Sequence, residues 1–207
     1  MPSPQLPMEY CATRFLDLWV RQEAEIYQGM NDHWPVTDPA QLRKMLKHYS
    51  IQRNFPSLAD DGAASKVVRM LCDVVASAGP PVASVERLAA VFKDAFGQRN
   101  LSAASKLLWM RCRHPIVIFD KQAVNALQSV LGHSFDKSSY GGFYAAWNEE
   151  YSKYAGAIES AALGLVALPR TYTAAFGLDD AELTELVTQA WFQARVFDLY
   201  LWEIGKS

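Results

Sequence analysis

The 207-residue sequence lacks the features that mark several classes of protein. It has no apolar run approaching the roughly 18 residues that a membrane-spanning helix needs. Its first seven residues hold three prolines and no basic residue, unlike a secretory signal. Cysteine is scarce, and the odd, scattered set of Cys11, Cys72 and Cys112 excludes a disulfide framework and a zinc or iron–sulfur site built from cysteine alone. We therefore expect a protein of the reducing cytoplasm.

Charge of neither sign dominates, since 20 basic and 22 acidic residues give a formal net charge of −2. The basic residues are nevertheless unevenly placed. Between Lys93 and Lys121 the chain holds six basic and two acidic residues, a net charge of +4, which leaves −6 for the remainder. Such a segment predicts a basic face that can bind a polyanion such as DNA. The alternative is a solvated face without a partner.

Apolar residues make up 50% of the chain, which is typical of a globular protein, and they recur at helical spacing along most of it. We predict an all-α fold of about eight helices, with residues 1–207 forming a single domain. The expected helices cover residues 8–29, 38–49, 63–77, 84–97, 102–111, 120–132, 143–168 and 179–203. Capping and stop signals set several of these ends: N-caps at Asp38, Ser84, Ser102 and Asp120, and stops at Gly29, Gly97 and Gly132.

The segment from Leu101 to Leu127 carries the residues best suited to chemistry. Lys106 lies in the first turns of the fifth predicted helix, and Asp120 begins the sixth after a short apolar connection. A lysine amine whose pKa is lowered by burial can attack the anomeric carbon of a sugar. A carboxylate beside that carbon stabilises the developing positive charge or orients a water. Their spacing of 14 residues allows the intervening turn to bring the two helix starts together, so both are candidate catalytic residues.

The same segment resembles the helix–hairpin–helix superfamily of DNA glycosylases, most closely its bacterial 8-oxoguanine-glycosylase-like branch. The resemblance rests on Ser105-Lys106-Leu107-Leu108 followed by Trp109, and on Pro115, an apolar run and Phe119-Asp120. It covers about 30 residues, and the rest of the chain matches only as a run of helices. The hairpin stretch Phe96–Leu101 has one glycine where the family usually has a G-x-G turn that holds a DNA phosphate.

The resemblance implies a fold in two lobes around a DNA cleft, extrusion of one nucleotide, and cleavage of its N-glycosidic bond. Repair of damaged DNA and defence against phage DNA with modified bases both fit it. It implies Asp120 and Lys106 as catalytic residues and DNA as the partner. No cofactor is expected, because the cysteines that hold the iron–sulfur cluster of some relatives are absent from this sequence. Candidate DNA-contacting residues are Arg99, Ser105, Arg111, Arg113 and Lys121. Candidate base-pocket residues are Trp109, Tyr140, Phe143, Trp147 and Tyr151.

Each of these residues has a simpler structural alternative. Asp120 suits an N-cap by position alone, and Lys106 suits a solvated surface. Arg111 and Arg113 suit the C-terminal dipole of their helix, and the aromatic residues suit a core. No metal site is expected, because the remaining histidines lack ligand spacing: His33, His48 and His133. The alternative function is a non-catalytic all-α module that binds DNA or a protein.

Overall fold

The computed structural model describes residues 6–32, 34, 38–51, 60–169 and 173–206. Helix accounts for 77% of these residues and none of them lies in a strand, which confirms the predicted all-α class. Within these ranges no helix is both long and apolar enough to cross a bilayer. The α-helices are α1 Met8–Leu18, α2 Ala24–Asn31, α3 Pro39–His48, α4 Asp61–Ala76, α5 Pro81–Phe96, α6 Leu101–Cys112, α7 Lys121–Asn125, α8 Tyr140–Ala167, α9 Asp180–Thr188 and α10 Ala190–Ile204. Two π-helical segments cover Trp19–Glu23 and Ala126–Val130, and a 3₁₀ helix covers Ala174–Gly177.

The chain divides into two compact units, each assembled from separate segments. Unit 1 comprises Met1–Glu23, Asp120–Lys137 and Gly141–Ser207. Unit 2 comprises Ala24–Phe119 and Ser138–Tyr140. The expectation that residues 1–207 form a single domain stays a prediction.

The core of unit 1 forms where α1 packs against α10. The Phe15 ring lies 4.9 Å from that of Phe192 and 6.4 Å from that of Trp191, centroid to centroid. Helical spacing from Phe15 and Trp19 predicts Gln22 on the same buried stripe, but Gln22 is exposed and Glu23 is buried in its place. The π-helical segment Trp19–Glu23 explains the shift, because its wider turn moves the inward face by one residue.

Unit 2 is built around α6, which packs against α5. The connection between the two helices is only residues 97–100, so they are adjacent in space as well as in sequence. Gly97 ends α5 with a φ of +74°, in the left-handed region that glycine favours. Every residue of α6 from Ala103 to Met110 is buried. A helix buried on all of its faces is typical of the centre of a packing unit.

Two of the four predicted N-caps are confirmed and two are wrong. Asp38 and Asp120 accept hydrogen bonds from the amides of Ala40 and Gln122, at 2.8 and 2.9 Å. Ser84 does not cap α5; that helix starts at Pro81, since proline suits the first helical position. Ser102 does not cap α6, because the Asn100 side chain accepts from the Ala103 amide at 2.9 Å.

Three predicted helix boundaries also change. The first helix does not stop at Gly29 but continues to Asn31. The long helix α8 begins at Tyr140, three residues before the expected start. The last predicted helix is two helices, α9 and α10, which meet at Gln189 with extended backbone (φ −64°, ψ 132°). The stops at Gly97 and Gly132 are confirmed, with φ values of +74° and +78°.

Gly205, at the end of α10, marks a close approach of two backbone segments in unit 1. A Cβ atom there would lie 1.9 Å from the carbonyl oxygen of Gln122. We expect Gly205→Ala to lower the free energy of unfolding by about 1–3 kcal/mol, as overpacking does. Gly164→Ala in α8 is the control, because open space surrounds it; it should stabilise by up to about 1 kcal/mol. Urea denaturation measures both, and equal unfolding midpoints would contradict this packing.

Candidate functional site

Lys106 lies in the enclosed first half of α6. It is 8% exposed, and its Nζ donates a hydrogen bond to the hydroxyl of Ser102, one turn earlier, at 3.0 Å. The alternative of a solvated surface lysine is therefore wrong. The amine is held near the start of the helix, on the side from which residues 97–100 enter it.

Hydrogen bonds from two side chains hold the apolar connection between α6 and α7 in place within unit 2. The hydroxyl of Ser105 accepts the amide N–H of Phe119 at 2.9 Å and donates to the carbonyl of Ser102 at 3.2 Å. The hydroxyl of Tyr140 donates to the carbonyl of Val117 at 2.8 Å and accepts from its amide at 3.2 Å. Ser105 is fully buried and its hydroxyl is already bonded, so its part in this structure is to hold the connection rather than to face a phosphate.

Asp120 follows that connection and belongs to unit 1. It is half-buried, and one carboxylate oxygen accepts the Gln122 amide, so the capping function predicted from its position is confirmed. A cap does not by itself exclude chemistry, because a carboxylate has two oxygens that can accept several hydrogen bonds. Catalytic functions for Lys106 and Asp120 stay predictions.

The predicted DNA-contacting arginines of unit 2 all have partners within the chain. Arg99 forms an ion pair with Glu86. Arg111 donates to the side-chain oxygen of Asn31 at 2.9 Å. The Arg113 guanidinium lies 3.4 Å from the ring centroid of Tyr27; burial lowers its pKa, and the hydrogen bond to Tyr27 opposes that effect. Arg111 and Arg113 thus attach the end of α6 to α2 and the residues after it.

Lys121, the remaining DNA-contact candidate, is exposed at the start of α7 in unit 1. It lies in the first turn, where a lysine gains nothing from the helix dipole. That Lys121 contacts a phosphate stays a prediction.

Most of the aromatic candidates for a base pocket lie in the core. Trp109, Tyr140, Phe143 and Trp147 are all buried. Tyr151 is half-buried and stacks on Trp147, with ring centroids 4.9 Å apart and planes 10° apart. Stacking on an extruded base needs an accessible ring face. The four buried rings offer none in this structure, so the simpler alternative of core packing describes them, and Tyr151 alone keeps an exposed part.

A buried charge network in unit 1 contains one residue that the sequence pattern did not reveal. Arg195 and Asp198 are three residues apart on α10, a spacing that predicts a pair on one helix face, and they bond at 3.1 Å. Arg195 also bonds Glu23 at 3.2 Å. The indole N–H of Trp147 donates to the other oxygen of Asp198 at 2.8 Å. Glu23 was missed because the π-helical turn brings it inward. The spacing of Arg195 and Asp198 on α10 was the only local signal.

A second cluster in unit 1 joins His133 to two glutamates of α8. His133 Nε2 lies 2.7 Å from Glu150 Oε1, and its Nδ1 lies 3.9 Å from Glu149 Oε2. Among the described residues these three could offer metal ligands, with ligand atoms within 4.8 Å of one another. However, the ammonium of Lys153 lies 2.5 and 3.2 Å from the two carboxylates and supplies the positive charge there. The arrangement is therefore an ion-pair network, and we propose no metal there. His33, another histidine considered as a metal ligand in the sequence, lies outside the described residues.

The network around Glu150 makes the stability of unit 1 dependent on pH. Burial by itself raises the pKa of Glu150, but hydrogen bonds from Lys153 and His133 outweigh it and hold the pKa below its usual value. The stability that ionised Glu150 contributes to unit 1 is thus complete above the ordinary glutamate pKa of about 4.3. It is lost as the pH falls through the lowered pKa. We expect Glu150→Gln to lower the melting temperature near neutral pH and to matter progressively less in acid. The same loss at every pH would contradict this, and Glu149→Gln, at a side chain that is 62% exposed, is the control with a smaller expected loss.

Comparison of the chain with family models, with curated proteins and with solved structures found no match. The likeness to the glycosylase superfamily therefore rests on the residues quoted from the sequence.

Proposed function

We propose that the chain is a DNA glycosylase of the helix–hairpin–helix kind, which cleaves the N-glycosidic bond of a damaged or modified base extruded from DNA. The observation that carries the proposal is the pair of helices α5 and α6 in unit 2. They pack together across a connection of residues 97–100, and the second helix carries the buried Lys106 in its second turn. This is the arrangement that the resemblance of residues 96–120 leads us to expect.

The connection suits a phosphate better than its single glycine suggests. Gly97 is exposed, has a positive φ, and has no atom within 4 Å of the place where a Cβ would stand. A phosphate can thus approach its backbone closely. The start of α6 follows directly, and the N-terminus of a helix favours an anion. DNA held there would place its backbone near the Lys106 end of α6.

The chemistry assigned to Lys106 is nucleophilic. Its neutral amine would form a bond to C1′ of the extruded nucleotide while the glycosidic bond breaks, and the bonding electrons leave with the base. The base takes up a proton, and the amine loses one to give a covalent lysine–sugar intermediate. The sugar ring then opens at O4′, which takes the second proton from the nitrogen, and leaves the imine that borohydride reduces. Ser102, which accepts the Nζ hydrogen bond in the free protein, is the residue that holds the amine in place.

The function assigned to Asp120 is electrostatic. A carboxylate facing C1′ stabilises positive charge that exists only near the transition state, so its removal should cost rate much more than affinity. Asparagine keeps the shape and the capping oxygen while removing the charge.

We therefore expect Asp120→Asn to lose nearly all base excision while it keeps its fold and its DNA affinity. The assay incubates protein with duplexes carrying a panel of modified bases and measures abasic sites; circular dichroism and a binding titration report fold and affinity. Release of an oxidised guanine would indicate repair, and release of a phage-type modified base would indicate defence. Excision by Asp120→Asn at the wild-type rate would show that the aspartate is only a cap.

Lys106 is tested by trapping. Borohydride should trap a covalent adduct between wild-type protein and a cleaved substrate, and Lys106→Gln should give none. Lys47→Gln removes the same charge from an exposed lysine of α3, outside the basic segment, and should trap as wild type does. Excision without any trapped adduct would reassign the attack to water and leave Asp120 as the essential residue.

A non-catalytic module that binds DNA or a protein is the second candidate. The burial of the aromatic candidates for a base pocket favours it, because little ring surface is left for an extruded base: Trp109, Tyr140, Phe143 and Trp147. Salt-dependent DNA binding with no abasic product from any duplex of the panel would support the module over the enzyme.

A further inference from the structure

Glu86 on α5 joins the hairpin to the start of α8 within unit 2. One carboxylate oxygen accepts the amide N–H of Tyr140 at 2.7 Å, and the other forms the ion pair with Arg99. Arg99 also donates to the carbonyl of Ser138 at 2.5 Å. The positive charge that the hairpin presents is therefore matched by a carboxylate of the same chain before any ligand arrives.

The ion pair is accessible enough to exchange partners. Its side chains are 34% exposed for Arg99 and 30% for Glu86, so water screens their attraction. A guanidinium binds a phosphate through two parallel hydrogen bonds, as it binds a carboxylate, so the two anions compete on similar terms. If Arg99 turns away, Glu86 still holds the Tyr140 amide and does not lose both of its bonds.

We propose that Glu86 is an internal competitor of the DNA phosphate: Arg99 exchanges its carboxylate for a phosphate when DNA binds the hairpin, and the strength of the Glu86–Arg99 pair sets the affinity. The inference rests on the proposed function in one respect, the binding of DNA by the segment around residues 97–100. It explains how a basic segment of an acidic protein is kept from binding every polyanion: the arginine must first give up its own partner.

The test compares wild type with Glu86→Gln in a titration of a short, unmodified, fluorescently labelled DNA duplex at several salt concentrations. Glutamine keeps an oxygen for the Tyr140 amide but no longer neutralises Arg99. We expect binding about five- to tenfold tighter near 0.1 M salt, because Arg99 no longer has to give up its ion pair with Glu86 before it contacts the phosphate. The slope of log K against log salt should change little, because Arg99 neutralises one phosphate in both complexes.

Four further variants isolate the cause. Glu25→Gln removes the same charge from unit 2 and breaks an exposed pair with Lys44 (2.5 Å), so it reports the general effect of one lost carboxylate. Arg99→Gln on the Glu86→Gln background should cancel the gain, whereas Arg99→Gln alone should change affinity much less. Glu86→Asp keeps the charge on a shorter side chain that does not span both partners, and we expect an intermediate gain from it. That variant keeps the test usable if Glu86→Gln fails to fold.

The outcomes separate this inference from the proposed function. Tighter binding by Glu86→Gln, with a similar salt slope and a gain that disappears with Arg99→Gln, supports it. If wild type binds DNA and Glu86→Gln gains no more than Glu25→Gln, the inference is overturned while DNA binding stands. If no variant binds DNA in a salt-dependent way, both the inference and the proposed function fall.

Discussion

The enclosure of α6 is the constraint on which the rest of unit 2 depends. Because residues Ala103 to Met110 are all buried, each polar group on that stretch must find a partner inside the protein or leave a costly unsatisfied group. The hydroxyl of Ser105 accepts the amide N–H of Phe119, and the amine of Lys106 donates to the hydroxyl of Ser102, so both side chains have a partner. The same bonds that satisfy the helix also fix the connection to α7. Residues with candidate functions are thus also the residues that hold the unit together, which is why variants that keep shape and remove charge are the informative ones.

Local signals in the sequence predicted local features well. The sequence predicts Asp38 and Asp120 as caps, and Gly97 and Gly132 as stops, because each acts on amides or backbone angles within a few residues. The errors came where two local signals compete. Both Asn100 and Ser102 can cap α6, and only packing decides between them: Leu101 and Asn100 are buried, so the helix starts at the earlier position. The residue pattern at Trp19–Glu23 does not distinguish the π-helical turn from an ordinary helical turn, so the inward position of Glu23 is not predicted.

The net charge of a sequence segment does not by itself predict the charge of the surface that the segment forms. The six basic residues between Lys93 and Lys121 predicted a basic face, but the partners of its arginines come from other parts of the chain: Glu86, Asn31 and Tyr27. A count along the sequence does not include them. Arg111 and Arg113 are used to attach α2 and the end of α6 to each other, whereas Arg99 is the one whose partner is a charged and partly exposed side chain. Only an arginine of that kind can change partners at small cost.

The buried network of unit 1 shows the opposite use of charge. Arg195, with both Glu23 and Asp198 against it, is almost completely removed from water, so desolvation opposes the network and good geometry must offset it. The hydrogen bond from Trp147 to Asp198 supplies part of that geometry, since it satisfies the carboxylate oxygen that stands 2.8 Å from the indole nitrogen. This also explains the residue type at position 147: a phenylalanine would fill the same core and leave that oxygen without its donor. An aromatic residue that looks from the sequence like a platform for a base therefore has two functions inside the core: its ring face stacks on Tyr151, and its nitrogen bonds Asp198.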